Sequence, residues 1–86
     1  MVNHKKIYLE YFDYGEQDFI PCELCHRNAI EIHHIYGRGD GKDTIENLMA
    51  VCRRCHDLAH SEQISKSEMQ YIHNSFMLGN RKRFMK

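Results

Sequence analysis

The sequence predicts a small α+β domain, because short alternating and helical apolar patterns follow one another within 86 residues. Four cysteines form two Cys-x-x-Cys pairs, and five of the seven histidines lie between or directly after these pairs. A chain of this length buries too little apolar surface for a large core, so we expect a bound metal to contribute to folding. No repeat or internal boundary is visible, and residues 1–86 are expected to form a single domain.

Helices are predicted at both ends of the chain. The first covers about 4–13, where four apolar or aromatic side chains share one side: Ile7, Tyr8, Tyr11 and Phe12. The second covers about 66–78 and follows a capping box, in which Ser65 and Glu68 satisfy each other's free backbone N–H groups. Gly79 is expected to end this helix.

The core of the domain, 19–62, is predicted to contain a strand, a long loop, a second strand and a helix. Alternation of apolar and polar side chains predicts the first strand over 29–33, and a short apolar run predicts the second over 48–51. The loop at 36–43 contains three glycines. The helix is expected from 53 to about 62.

The cysteines have the spacing of a structural zinc site. Each Cys-x-x-Cys turn presents two sulfurs, and two turns complete a tetrahedral set consisting of Cys22, Cys25, Cys52 and Cys55. The alternative is two disulfides, as in a small secreted protein. Residues 1–13 contain neither a long apolar run nor a small-residue cleavage site, so a secretory signal is not expected and bound Zn²⁺ is favoured. No apolar run is long enough to predict a membrane span.

The histidines form a second potential set of metal ligands. His56 and His60 are four residues apart and therefore project from the same face of the predicted helix. Such a pair suits Zn²⁺ or another divalent metal. His33 can supply a third ligand from the first strand, whereas His34, the next residue, points to the opposite face. One of these neighbours can therefore bind metal while the other handles protons.

This order of residues resembles the HNH nucleases of the ββα-metal, or His-Me finger, superfamily. The matching segments are Glu31-Ile-His33-His34-Ile35, then Asn47-Leu48, then Cys52-x-x-Cys55-His56-x-x-x-His60. The resemblance covers about 21–60 and leaves the helices at both ends outside. It implies a zinc-stapled ββα-metal domain that hydrolyses DNA phosphodiester bonds and leaves 5′-phosphate and 3′-hydroxyl ends.

The resemblance also implies roles for individual side chains. His34 would be the general base, since imidazole is largely neutral near pH 7 and accepts a proton from water. His33, His56 and His60 would hold a catalytic divalent metal (Mg²⁺, Mn²⁺, Ni²⁺ or Zn²⁺), which stabilises the leaving alkoxide. Because related enzymes use two or three protein ligands, His60 has the alternatives of contacting DNA or packing.

Two further residues complete the expected site. Asn47 would tie the long loop across the hairpin and so hold His34 in its working orientation. Arg38, in the glycine-rich loop, would bind a phosphate group bidentately, the alternative being a solvated loop arginine.

The charge distribution bears on the partners. Basic and acidic residues each number 12, and a formal net charge of zero is unusual for a protein that binds DNA unaided. Residues 1–46 hold five basic and nine acidic groups, whereas residues 47–86 hold seven and three. The basic tail 80–86 is expected to contact the DNA backbone, the alternative being a disordered end.

Weak intrinsic affinity is consistent with an enzyme that a partner delivers to DNA, such as a phage packaging or recombination protein in the cytoplasm of a bacterial host. A rival interpretation is a non-catalytic zinc-ribbon module that binds DNA or a protein. It accounts for the cysteines but leaves five residues unexplained: His33, His34, Asn47, His56 and His60.

Overall fold

An antiparallel hairpin lies at the centre of the fold and positions the candidate site. The structure is a computed structural model, which describes residues 4–15, 17–37, 39 and 41–81. The elements in chain order are α1 (His4–Tyr11), β1 (Glu31–His34), a 3-10 turn (Ile45–Asn47), β2 (Leu48–Val51), α2 (Arg53–His60) and α3 (Lys66–Arg81). Helices thus flank a two-stranded sheet, and the predicted α+β class is confirmed.

The pairing of β1 with β2 decides which side chains face the site. His34 lies opposite Leu48, and Glu31 lies opposite Val51. The strand predicted over 29–33 instead begins at Glu31 and includes His34. Ile30, which lies directly before β1 and was expected to share the core side with Ile32, is 59% exposed.

Two apolar clusters pack on opposite faces of the hairpin, because successive side chains of a strand alternate in direction. All four residues of β2 are buried, so this strand contributes to both clusters. One cluster lies against α1 and consists of Tyr8, Phe12, Ile32, Leu48 and Ala50. The other consists of Cys22, Ile35, Met49, Val51, Cys52, Cys55 and Met69. The second core is therefore built partly from cysteine side chains.

The start of α3 follows the sequence prediction, but its end does not. The Glu68 N–H donates to Ser65 Oγ at 3.1 Å and the Ser65 N–H reaches Glu68 Oε1 at 3.5 Å, which confirms the capping box. The helix then continues through Gly79 to Arg81, so the expectation that Gly79 ends it was wrong. Glycine ends a helix by adopting a left-handed conformation, which Gly79 does not adopt. Its cost inside a helix, about 1 kcal/mol relative to alanine, is small enough for a long helix to tolerate.

Two other helix ends also differ slightly from the predictions. Asp13 has a φ of 58°, and the Tyr14 N–H bonds the Leu9 carbonyl at 2.9 Å, which closes α1. Helix α2 ends at His60 rather than near residue 62, because Glu62 turns left-handed with a φ of 61°.

A buried network of charged and polar groups connects the first cysteine turn to both end helices. The Glu23 carboxylate accepts hydrogen bonds from Tyr8 Oη at 2.6 Å and from His73 Nδ1 at 2.7 Å. The other ring nitrogen of His73 donates to the Ile45 carbonyl at 2.6 Å, so both nitrogens face acceptors and the ring is an imidazolium. Burial opposes this charge, but the hydrogen bond to Glu23 and its negative charge outweigh burial and raise the pKa of His73.

Replacing His73 with leucine is expected to lower the free energy of unfolding by about 3–5 kcal/mol, because it leaves the Glu23 carboxylate buried without a counter-charge. Adding Glu23→Gln should recover part of this loss, since a neutral amide needs no cation. Denaturant unfolding of the metal-loaded protein, followed by circular dichroism, measures both effects. Tyr71→Ala, an exposed change on the same helix, is the control. Wild-type stability in the His73 variant would show that the pair contributes nothing.

No helix in the described ranges is long and apolar enough to cross a lipid bilayer.

Candidate active site

The four cysteine sulfurs converge at one point between the first turn and the start of α2. All four are free thiols, their Sγ atoms lie within 4.8 Å of one another, and Cys25 Sγ is 3.5 Å from Cys52 Sγ. Zinc at about 2.3 Å from each sulfur of a tetrahedron needs sulfurs roughly 3.8 Å apart, so the set fits a zinc ion closely. Two separate disulfides would instead have divided the sulfurs into two pairs.

Local backbone structure prepares each cysteine turn. In the first turn, the His26 N–H donates to the Cys22 carbonyl at 2.8 Å, and His26 has a φ of 69°. In the second, Cys52 is the N-cap of α2 and its sulfur accepts the Cys55 N–H at 3.4 Å. This N–H lowers the pKa of the Cys52 thiol to about 7, whereas burial raises the pKa of Cys55. A thiolate at Cys52 is the form that binds a metal.

The second cluster brings together the three histidines expected to hold the catalytic metal. His33 lies on β1, while His56 and His60 lie one turn apart on α2, and one ring nitrogen from each lies within 4.8 Å of the others. His56 Nε2 is 3.1 Å from His60 Nε2. These side chains line an open pocket of about 380 Å³ together with Glu31, Ile32, His34 and Gly37.

Glu31 also reaches this histidine cluster; its sequence position predicted the polar face of a strand, with contact to the metal or to a metal-bound water as the alternative. Its Oε2 lies 2.7 Å from His56 Nε2. The signal was available, since Glu31 and His33 are two residues apart in a strand and therefore share a face. His56 Nε2 now faces both the Glu31 carboxylate and His60 Nε2, and its single proton cannot satisfy both. A cation at this point would relieve the crowding of lone pairs.

His33 is prepared to act as a neutral ligand. Burial, reinforced by the positive charges that His56 and His60 can carry, lowers its pKa to about 4. Its ring is therefore neutral near pH 7, and the lone pair that a metal requires is available.

His34 lines the same pocket as the three histidines, but its ring contacts a different partner. It is only 7% exposed, and its Nε2 lies 2.7 Å from Asp43 Oδ1. Since a carboxylate only accepts, Nε2 carries the proton, and the neutral ring then holds its lone pair on Nδ1. The His4 ring lies beside the His34 ring, with centroids 4.6 Å apart and a tilt of 54°. Neither Asp43 nor His4 stood out in the sequence, because an acid in a loop and a lone histidine carry no pattern.

The Asn47 side chain joins the two ends of the loop that separates the strands. Its Oδ1 accepts the Tyr36 N–H at 2.8 Å, and its Nδ2 donates to the Gly37 and Lys42 carbonyls at 3.3 and 3.0 Å. Lys42 directly precedes Asp43, so these bonds also restrain the residue that contacts His34. Two other expected contributors, Arg38 and residues 82–86 of the basic tail, lie outside the described residues.

Comparison with protein families matches residues 22–62 to the model described as HNH endonuclease. Comparisons with curated proteins and with solved structures gave no match. The matched segment contains the four-cysteine cluster, both strands and α2, in the order of a ββα-metal fold. Residues 22–62, just under half of the chain, are therefore similar to the HNH endonuclease family, and α1 and α3 lie on either side of this matched region.

Proposed function

We propose that this protein is a metal-dependent endonuclease that hydrolyses DNA phosphodiester bonds, with His34 as the general base. The observation that carries this proposal is that His34 and the three clustered histidines line the same pocket. A proton acceptor beside a bound metal would suit the hydrolysis of a phosphodiester. The match of residues 22–62 to the HNH endonuclease model supports nuclease chemistry and DNA as the substrate.

The hydrogen bond to Asp43 determines how His34 would work. With the Nε2–H held by the carboxylate, Nδ1 is the atom that takes a proton from the attacking water. The ring becomes positive as it does so, and the adjacent carboxylate stabilises that charge. This is the arrangement of a base oriented by a third group. Asn47 supports it indirectly, by holding the loop on which Asp43 lies.

The donor sets fit two different metals. Four cysteines, most of them buried, suit a closed structural Zn²⁺ site. His33, His56 and His60 would hold the catalytic divalent ion, with Glu31 close enough to join them or to orient a water. When bound there, the ion supplies charge stabilisation for the scissile phosphate and the leaving 3′ oxygen. Imidazole ligands favour Zn²⁺, Ni²⁺ or Mn²⁺, although Mg²⁺ remains a candidate when phosphate oxygens complete the site.

The charge balance supports a proposal about how the protein reaches DNA. A chain with zero formal net charge makes few phosphate contacts, so a partner would bring it to DNA. A phage packaging or recombination protein acting in the bacterial cytoplasm is the kind of partner we propose.

Cleavage of supercoiled plasmid, single-stranded DNA and branched DNA tests the activity and the preferred substrate together. Reactions contain Mg²⁺, Mn²⁺ or Ni²⁺, with EDTA as the control, and products are examined for 5′-phosphate and 3′-hydroxyl ends. We expect metal-dependent cleavage of at least one substrate. Binding of DNA or of a protein without cleavage under any metal would support the zinc-ribbon alternative instead.

Asn47→Ala is expected to slow single-turnover cleavage by roughly 10–100-fold, which is less than the loss of the base itself, because Asn47 acts through the loop. Affinity for the catalytic metal should hardly change. Asn47→Asp should also be impaired, since it keeps the acceptor for Tyr36 but loses both donated bonds. Glu46→Gln, an exposed neighbour, is the matched control.

Combining Asn47→Ala with His34→Ala distinguishes a positioning role from an independent one. If Asn47 only positions the base, the double variant should cleave no more slowly than His34→Ala alone. Additive losses would contradict this and give Asn47 a separate part in catalysis.

A further inference from the structure

Three side chains from separate parts of the chain meet beside the candidate active site. They are His4 at the start of α1, His34 at the end of β1 and Asp43 in the loop before β2. One ligand atom from each lies within 4.8 Å of the other two. The four cysteines and the His33–His56–His60 group are gathered equally closely. The other two groups already have roles in the proposed function. In this third group His34 and Asp43 have such a role, but His4 does not.

His34 and Asp43 form a hydrogen-bonded pair, beside which His4 supplies a second imidazole. The pair is complete with Nε2 and Oδ1 2.7 Å apart, yet a second imidazole lies against it at a tilt of 54°. Two imidazoles and a carboxylate are a donor set that zinc and similar transition metals bind, with one position left for water. We propose that His4, His34 and Asp43 form a further divalent-metal site, selective for Zn²⁺ over Mn²⁺ and Mg²⁺, whose occupation silences His34.

The spacing and exposure of the three residues fit an exchangeable ion. Ligand atoms of a tetrahedral zinc lie about 3.4 Å apart, so the 2.7 Å separation needs only a small widening. The separation of 3.1 Å between His56 Nε2 and His60 Nε2 needs a smaller widening. The Asp43 side chain is 49% exposed, which leaves it free to adjust and leaves solvent a route to the ion. Mg²⁺ prefers oxygen ligands and is not expected to compete here.

The effect on His34 follows from the number of ring protons, and it rests on the proposed function. In the metal-free pair the single proton of the neutral ring lies on Nε2 and the lone pair lies on Nδ1. An ion bound at Nε2 uses the lone pair of that atom, so the one proton must move to Nδ1. The ring neither gains nor loses a proton, but it has no lone pair left to accept one. Excess Zn²⁺ should therefore inhibit cleavage that Mg²⁺ or Mn²⁺ supports.

Metal binding tests the site without any measurement of activity. The full-length protein, with its cysteines loaded with zinc, is titrated with Zn²⁺ by calorimetry. We expect two further sites in the wild type and only one in either His4→Ala or His56→Ala. His26→Asn is the matched control, because it removes an exposed histidine outside the clusters and asparagine tolerates the left-handed conformation there. Two further sites in His4→Ala, or one in the wild type, would overturn the proposal.

Inhibition of DNA cleavage by zinc tests whether the bound ion silences His34. In Mn²⁺-supported plasmid cleavage, His4→Ala should keep the wild-type rate without added zinc, while its half-inhibitory zinc concentration rises on the order of tenfold or more. An unchanged concentration would place the inhibition at the His33–His56–His60 group and overturn the silencing of His34. If two further ions bind but no cleavage occurs with any metal, the proposed activity fails while the metal site stands.

Discussion

Replacing His34 with alanine is expected to lower the single-turnover rate of DNA cleavage by roughly 10²–10⁴-fold or more, the usual scale for loss of a general base. The change removes the Nδ1 lone pair but leaves His33, His56 and His60 in place on the other side of the strand and on α2. DNA affinity and the zinc content of the cysteine cluster should therefore remain near wild type.

The His34 variant needs a control for packing, because this side chain is buried. His4→Ala removes the neighbouring ring without removing the base, and without added zinc it should cleave at the wild-type rate. Circular dichroism and bound-zinc analysis would show whether both variants are folded. Near-normal cleavage by a folded His34→Ala protein would remove His34 from the mechanism.

The second large effect is expected from substitutions that distinguish the cysteine cluster from the histidine cluster. Cys52→Ser is expected to unfold or aggregate the protein, because the free energy of zinc binding, about 10–16 kcal/mol, is comparable to the whole stability of a typical domain, about 5–15 kcal/mol. Serine still offers an oxygen to the Cys55 N–H, so the helix cap survives and the loss isolates the metal ligand. His56→Ala, by contrast, should give a folded protein that retains tightly held zinc but does not cleave DNA.

Metal analysis after gel filtration, thermal melting and the plasmid assay together measure these outcomes. The wild type should retain one tightly bound zinc that brief treatment with EDTA at neutral pH does not remove. A wild-type protein without tightly held zinc would contradict the division into structural and catalytic clusters. So would a Cys52→Ser variant that remains folded and active.

The features that the sequence determined by itself are those carried by short spacing. Two Cys-x-x-Cys turns bring sulfurs together in pairs whatever else the chain does, and residues four apart on a helix share a face, as His56 and His60 do. Alternation along β1 sends His33 and His34 in opposite directions for the same reason. The α+β class, the capping box of α3 and the HNH pattern all rest on local relations of this kind.

Contacts between distant residues were decided only by the tertiary structure. His73 meets Glu23 across 50 residues of chain, and no periodic pattern links the two. Asp43 reaches His34 because the hydrogen bonds of Asn47 shape the glycine-containing loop, and loop conformation is not encoded by apolar periodicity.

The position of His4 was likewise decided only by the tertiary structure. As a lone histidine near the start of the chain it indicated nothing, but α1 packs on the hairpin through its aromatic side chains and carries His4 to the His34 ring. The apolar pattern of α1 predicted which of its faces is buried, but not which part of the sheet it covers. Only the pairing of those surfaces in three dimensions placed a second imidazole beside the candidate base.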